Sequence, residues 1–312
     1  MARFFLKHLF FLCLTLAVVS LLVFLLTEFT PGDVARKYLG AYATQEQVDL
    51  LSKEMGLDRP VLVRYGEFVG KILSGDLGTS TRYRVPVQNI LFDRLANTGL
   101  LALVAFVFIV PLSMLFGILA GMREGSFLDR SILLVSAVLA SVPEFAMGVF
   151  LATIFVVTLN WLPGTATLQS GGHWPIALQL VLPVSVIVLF DMGYVVSMVR
   201  ASMVETMRQP YIRTAVLKGM RFRQVVTGHA LRNAMINPVT VILLQINYLV
   251  SGVVVVESVF AYPGFGRMML EASLYKDIAL IEAGALVSVF VAVATQIVGD
   301  LAYMLLDPRI RS

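Results

Sequence analysis

Six stretches of this chain are apolar enough and long enough to cross a bilayer, and that fact limits the fold more than any motif. They run from about Leu9 to Phe29, Leu95 to Gly121, Ile132 to Leu159, Ile176 to Val199, Pro238 to Phe260 and Ile278 to Leu306. A hydrocarbon core about 30 Å thick takes roughly 20 residues of helix, because a helix pairs its own backbone groups where no water can. Composition agrees: of 312 residues 58% are hydrophobic and 14% charged, against about 25% charged in an average soluble domain. The fold class predicted is an all-α membrane protein with six transmembrane helices. The first stretch follows Arg3 and Lys7, exceeds a signal-peptide core and has no small-x-small cleavage pattern behind it, so a retained anchor over residues 1–29 is expected. Pro111, Gly117, Pro143, Gly148, Pro183, Gly193, Gly252 and Gly284 lie within spans, which membrane helices tolerate.

Loop charges orient the spans, since Lys and Arg near span ends stay in the cytoplasm. Between the fourth and fifth spans stand Arg200, Arg208, Arg213, Lys218, Arg221, Arg223 and Arg232 against the single acid Glu205. That loop, residues 200–237, is predicted to be cytoplasmic. Arg3 and Lys7, Arg123 and Arg130, and Arg309 and Arg311 fall on the same side if the spans alternate, whereas Asn160 to Pro175 holds no Lys or Arg. Both termini are then cytoplasmic, in a multi-pass plasma-membrane protein. The net charge of +4 is explained by topology and gives no reason to expect nucleic acid as a partner. One cysteine, Cys13, and three scattered histidines, His8, His173 and His229, exclude a disulfide and a His/Cys metal site.

Residues 30–94 are predicted to form a small helical external segment. Thr44 and Gln47 make a capping-box pattern ahead of Val48, Leu51 and Met55, with Gly56 as the stop. A second helix is expected to start with Pro60 at its first position, to show Val61, Tyr65, Phe68 and Ile72 on one face, and to stop at Ser74 and Gly75. Val87, Ile90 and Leu91 against Gln88, Asn89, Asp93 and Arg94 predict a separate short amphipathic helix at the membrane interface. Residues 95–306 then form a core of five helices, and residues 307–312 a cytoplasmic tail.

The segment Gln209 to Pro238 carries the clearest local signals. Pro210 suits the first position of a helix and Gly219 the residue past its end, leaving about two turns from Tyr211 to Lys218. A helix so short needs something to pack on. Tyr211, Ile212, Ala215 and Val216 offer apolar area, while Arg213 and Lys218 offer charge. Physics alone leaves a membrane-surface helix and a protein-docking helix about equally supported.

The run from Tyr211 through Arg213, Thr214, Ala215 and Lys218 to Gly219, followed by His229 to Ala234, resembles the permease subunits of ABC importers for peptides and nickel. Arg213, Thr214, Ala215 and Gly219 fall at the places of that superfamily's E-A-A-x-x-x-G motif. Leu217 stands where the peptide branch more often has a small residue, and the closing proline is shifted to Pro238. Three further segments are similar to family signatures. These are Gly75 to Ser80, then Glu257 to Phe260 with Pro263, Gly264, Gly266 and Arg267, and Asp300, Leu301 and Tyr303 with the tail Leu306 to Arg311. The resemblance implies a type I ABC importer permease fold. It makes Tyr211, Ile212, Arg213, Thr214, Ala215, Lys218 and Gly219 the coupling helix that docks on a cytoplasmic ATPase. It also implies a second homologous permease forming a heterodimer, two ABC ATPase subunits that use ATP and Mg, and an external substrate-binding protein. No cofactor is expected on this chain. Pro263, Gly264 and Gly266 permit a tight external turn, which with Glu257 suits an external gate or a partner contact.

Ionisable residues inside spans are costly and are functional candidates by default. Glu144 follows Pro143, where a helix loses a backbone bond, and with Asp191 it is a candidate for the translocation path. Asp191 departs from the small or apolar residues usual in the family. Glu257 and Asp300 sit at span ends, where packing or subunit contact is expected, and Arg200 is expected to snorkel to the interface. The sequence has no G-x-x-x-x-G-K-[ST] loop, G-x-S-x-G elbow or H-E-x-x-H, so the expected role is a transport subunit and not an enzyme. The resemblance favours import of di- or oligopeptides, with nickel complexes, oligosaccharides or other small solutes as alternatives. A proton-driven secondary transporter working through Glu144, Asp191 and Asp300 is the distant alternative, but the chain shows neither the internal repeats nor the span number usual for one.

Overall fold

A computed structural model describes residues 2–28, 39, 43–54, 58–168, 174–251 and 253–306. Met55, Gly56, His173, Gly252 and the tail from Asp307 lie outside the described residues, as do the side chains of His8, Asp300 and Tyr303. The described residues are helical apart from turns and one isolated antiparallel bridge between Thr79 and Pro86. Four helices are long and apolar enough to cross a membrane: Leu9–Leu26 within α1 (Ala2–Glu28), then α4 (Val87–Met122), α7 (Ile176–Met207), and Ile278–Gly299 within α14 (Ile278–Leu306). A fifth candidate is a bent pair, α5 (Phe127–Ser141) and α6 (Glu144–Ala152), the latter continued by a π-helical stretch Thr153–Thr158, with the two halves turned by 99°. Pro143 is the cause, since it cannot donate to the preceding turn and Val142 is extended beside it. Pro111 and Pro183, by contrast, sit inside unbroken helices. Over the predicted span Pro238 to Phe260 the chain forms α11 (Ile236–Ser251) and the short α12 (Val254–Val259).

The chain divides into two compact units. The first comprises Met1–Arg94 and Met268–Val293. In it α2 (Gln45–Glu54) begins with the predicted capping box: the Gln47 amide donates to Thr44 Oγ1 at 3.4 Å and the Thr44 amide to Gln47 Oε1 at 3.0 Å. Helix α3 (Val61–Leu73) has Pro60 just before its first residue, not at it, and turns Tyr65 and Phe68 onto Phe24 of α1 at ring distances of 5.4 and 5.6 Å. Beyond it, Gly75 to Pro86 folds back as a tight loop held on one acid. Asp277 is fully buried and accepts from Ser80 Oγ at 2.5 Å and from the Arg82 amide at 3.2 Å. Arg82 stacks 3.7 Å from the Tyr275 ring centroid and donates to Glu271 at 3.2 Å. The separate interfacial helix predicted over Val87 to Arg94 is not formed. Those residues are the first turns of α4, because nothing between them and Leu95 breaks a helix, and Val87 and Leu91 are fully buried.

The second unit comprises Leu95–Arg267 and Ala294–Ser312, with α7 at its centre. Gly117 and Gly121 of α4 form a small-xxx-small pair that lets two backbones approach closely. A methyl on either would stand 2.5 Å from the Cβ of Val199 or Met203 of α7. Helix α7 runs past the predicted end at Val199 to Met207, as no breaker precedes Pro210.

Candidate functional site

Helix α8 (Pro210–Leu217) forms as the sequence predicts, with Gln209 extended before it and Pro210 at its first position. Its end is a Schellman closure. The Met220 amide donates to Ala215 O at 3.3 Å and the Gly219 amide to Val216 O at 2.9 Å, with Gly219 at φ +78°. Ile212 and Ala215 are buried in a small core with Met203, Val225, Val226, Ala230 and Ala234. These neighbours come from the end of α7 and from α9 (Phe222–Val225), a π-helical turn Val226–Ala230 and α10 (Leu231–Ala234). The chain itself therefore supplies the support that two turns of helix lack in isolation. Ser202 Oγ ties α7 to Ala234 O at 2.7 Å, and Asn233 donates to the Tyr211 hydroxyl at 3.0 Å. The outer face is open: Tyr211, Arg213, Thr214, Val216, Leu217 and Lys218 are exposed, Leu217 by 79%.

Glu144 opens α6 directly after the Pro143 break, and its carboxylate accepts from the Tyr248 hydroxyl. Asp191, near the middle of α7, is 3% exposed and accepts from Gln245 Nε2 at 2.9 Å. Gln245 and Tyr248 are three residues apart on α11, so one helix face meets both acids. The acids lie within Coulombic reach of each other. The sequence singled out the two acids but not the amide and phenol that bring them together. Their i, i+3 spacing in an apolar run was the signal that could have found them.

Glu257 is fully buried on α12 and braces the following loop from inside. Thr98 Oγ1 donates to its Oε1 at 2.5 Å, and the Arg267 amide, in the first turn of α13 (Phe265–Tyr275), donates to its Oε2 at 2.8 Å. The Phe265 amide donates to Thr98 at 2.7 Å, and Asn97 Nδ2 to Pro263 O at 2.9 Å. Gly264 and Gly266 are needed for this closeness, since a methyl on Gly264 would stand 2.0 Å from Glu257 Oε1 and one on Gly266 2.6 Å from Val254 Cγ2. Tyr262, whose hydroxyl donates to Asn97 O at 2.5 Å, holds its proton well above the usual tyrosine range because of burial first and the Glu257 charge second.

Arg200, expected to snorkel, has an anionic partner that the sequence did not announce. It grips the nearly fully buried Asp129 with both arms, at 2.9 and 2.8 Å, because that carboxylate lies within its reach and would otherwise be a buried charge without a cation. Asp129 also accepts from the Gly125 amide at 2.8 Å, and Arg208 pairs with Glu124 at 2.6 Å, so the turn between α4 and α5 is fixed to the last turns of α7. Ser126 and Asp129 announced a helix start in the sequence, but the partner 71 residues away did not.

Comparison with known proteins covers nearly all of this structure. Residues 113–312 match the family described as binding-protein-dependent transport system inner membrane component, and residues 1–102 match that system's N-terminal membrane-component family. A putative peptide transport system permease of Brucella abortus is 35% identical over 297 residues, 94% of each chain. A probable peptide ABC transporter permease of Sinorhizobium fredii is 34% identical over 95% of each, and a glutathione transport system permease of Shigella flexneri is 33% identical over 100% of this chain and 99% of its own. The chain belongs to the family of binding-protein-dependent transport system inner-membrane components, and is a multi-pass transport subunit of the bacterial inner membrane, not an enzyme.

Proposed function

We propose that the chain is one permease half of an ATP-driven ABC importer for di- or oligopeptides. The assembly pairs it with a second, homologous permease as a heterodimer, carries two ABC ATPase subunits on its cytoplasmic face and receives solute from an external binding protein. The observation that carries this reading is the two-sided construction of α8. Ile212 and Ala215 bind it rigidly to its own chain, while Tyr211, Thr214, Leu217 and Lys218 stand outward as a surface for another protein. A lever needs both properties, because a helix that moved alone could not pass ATPase closure to the spans. The peptide assignment is supported by the relatives named peptide and glutathione permeases.

The topology that goes with this function has six spans, with α11 and α12 together making the fifth and both termini in the cytoplasm, as the basic loop 200–237 requires. The chain binds no cofactor; ATP and Mg belong to the partner ATPases. The Pro263 to Gly266 turn lies at the external mouth, where the binding protein arrives. Tagged protein drawn from its own membranes in mild detergent is expected to bring a second permease and P-loop ATPases, and the eluate to hydrolyse ATP. A lone chain without ATPase activity that still transports in proteoliposomes would overturn this function in favour of a gradient-driven one through Glu144 and Asp191.

A further inference from the structure

Among the described residues two buried side-chain oxygens have no hydrogen-bond partner, Ser113 Oγ and Asp191 Oδ2. A serine hydroxyl within a helix can turn onto a carbonyl one turn back. A carboxyl oxygen cannot turn onto the backbone in that way, and buried it calls for either a proton or a donor. Among the described residues, the two donors that meet these acids do not reach Oδ2. The Tyr248 hydrogen goes to Glu144, and Gln245 Nε2 goes to Asp191 Oδ1. Neither acid has an ion-pair partner among the described residues, although each lies within Coulombic reach of the other. Two carboxylates, a phenol and an amide thus form a cluster rich in acceptors, with one oxygen open to a further donor.

The geometry narrows what that donor is. A guanidinium is a planar fork suited to both oxygens of one carboxylate, whereas the acceptors left open here, Asp191 Oδ2 and the Glu144 carboxylate, belong to two side chains. A divalent cation wants about six oxygen ligands, and no group of three or more metal-binding side chains is present among the described residues. An ammonium is a compact charge with three N–H donors, able to bond Asp191 Oδ2 while it meets the charge of Glu144. The Pro143 break places Glu144 at the start of a helix turned by 99° from the one before it. We infer that Asp191 and Glu144, framed by Gln245 and Tyr248, receive a primary ammonium group in transit, carried by a peptide as its α-amine or as a lysine side chain. This rests on the chain being a peptide permease.

The test uses the purified assembly in detergent with n-butylammonium chloride as probe and n-butyltrimethylammonium chloride, which has no N–H, as control at equal ionic strength. At about tenfold excess over its Kd the primary amine is expected to raise Tm by about 2–4 °C and the quaternary ion to leave it unchanged. Asp191→Asn and Glu144→Gln keep the side-chain shape and each weaken the amine at least ~10-fold, which corresponds to losing a charge-assisted bond. No shift in the wild type, or equal shifts in wild type and both variants, overturns the site. Uptake by the reconstituted system, with the binding protein saturated by each peptide, then identifies the source. If the α-amine is the occupant, the trialanine to N-acetyl-trialanine ratio collapses in Asp191→Asn. If the lysine ammonium is, the ratio of N-acetyl-Ala-Lys-Ala to N-acetyl-trialanine collapses instead. Unchanged ratios beside intact amine binding overturn the transit role. Wild-type assembly that binds the amine but takes up no peptide with ATP would sink the peptide-importer function and leave the ammonium site standing.

Discussion

Arg200 and Asp129 form a two-armed ion pair, at 2.9 and 2.8 Å, that joins the C-terminal part of α7 to the first turn of α5. Asp129 is almost fully buried, whereas part of the Arg200 side chain meets solvent. Removing the cation leaves a buried carboxylate with one backbone donor, from Gly125. Arg200→Ala is expected to cost about 2–4 kcal/mol, less than a wholly buried pair would lose because the guanidinium is part exposed. Adding Asp129→Asn to it should cost little more. Fully additive losses in a double-mutant cycle, read by thermal unfolding in detergent, would show that the pair does not couple these elements.

Gly264 has no room for a methyl. Glu257 is pinned by Thr98 and the Arg267 amide and cannot retreat. Gly264→Ala is expected to destabilise by about 1–3 kcal/mol, the usual range for overpacking. Gly99→Ala, in a helix with open space beside it, should instead be neutral or stabilising by up to about 1 kcal/mol. Comparable Tm for Gly264→Ala and wild type would refute the crowding.

On α8, Leu217→Asp changes a residue whose side chain touches little of its own chain. The protein should reach the membrane in normal amount and retain its Tm, while substrate-stimulated ATP hydrolysis by the assembly falls at least ~10-fold, the loss expected when one contact in a docking core is broken. Gly219→Asp should likewise insert and fail to transport. Gly219→Asn, which accepts the left-handed backbone, should be much milder. Normal coupling in Leu217→Asp would remove the outer face of α8 from the ATPase interface.

Two tyrosines outside the spans give stability a pH dependence. Tyr83 is raised by burial first, then by the hydrogen bond it donates to Glu271 and by that acid's charge; Tyr262 is raised by burial and by Glu257. Unfolded tyrosine titrates near 10. Folded tyrosines that hold their protons longer contribute stability that is whole below pH 10 and is lost as pH climbs through their folded values. Between pH 9 and about 11 the fall in Tm should therefore be shallower for Tyr83→Phe/Tyr262→Phe than for wild type. Parallel curves would be the contrary result.

Asp277 secures the loop from Gly75 to Pro86. Asp277→Ala strands the Ser80 hydroxyl and the Arg82 amide, and trypsin is expected to cut after Arg82 or Arg84 at least ~10-fold faster, since cleavage follows local opening. Unaltered cleavage would mean that the loop is held by its other contacts, Arg82 on Tyr275 and Glu271.

Whatever depends on a short stretch of chain was legible in the order of residues. Apolar length gave the spans of α1, α4, α7 and α14, and Pro210 with Gly219 bounded α8 at both ends. Thr44 and Gln47 made a capping box legible four residues at a time, and the family signatures, each a few residues long, named the class of protein. Which distant groups meet was settled by packing. Nothing local tells that Glu257 reaches Thr98, that Asp129 reaches Arg200, or that Gln245 and Tyr248 lie across from Asp191 and Glu144. Helical and capping preferences arise from interactions within one or two turns and are written in the order of residues. The partner of a buried charge is chosen by how helices pack, because a bilayer makes an unpaired group costly without specifying where along the chain its counterpart stands.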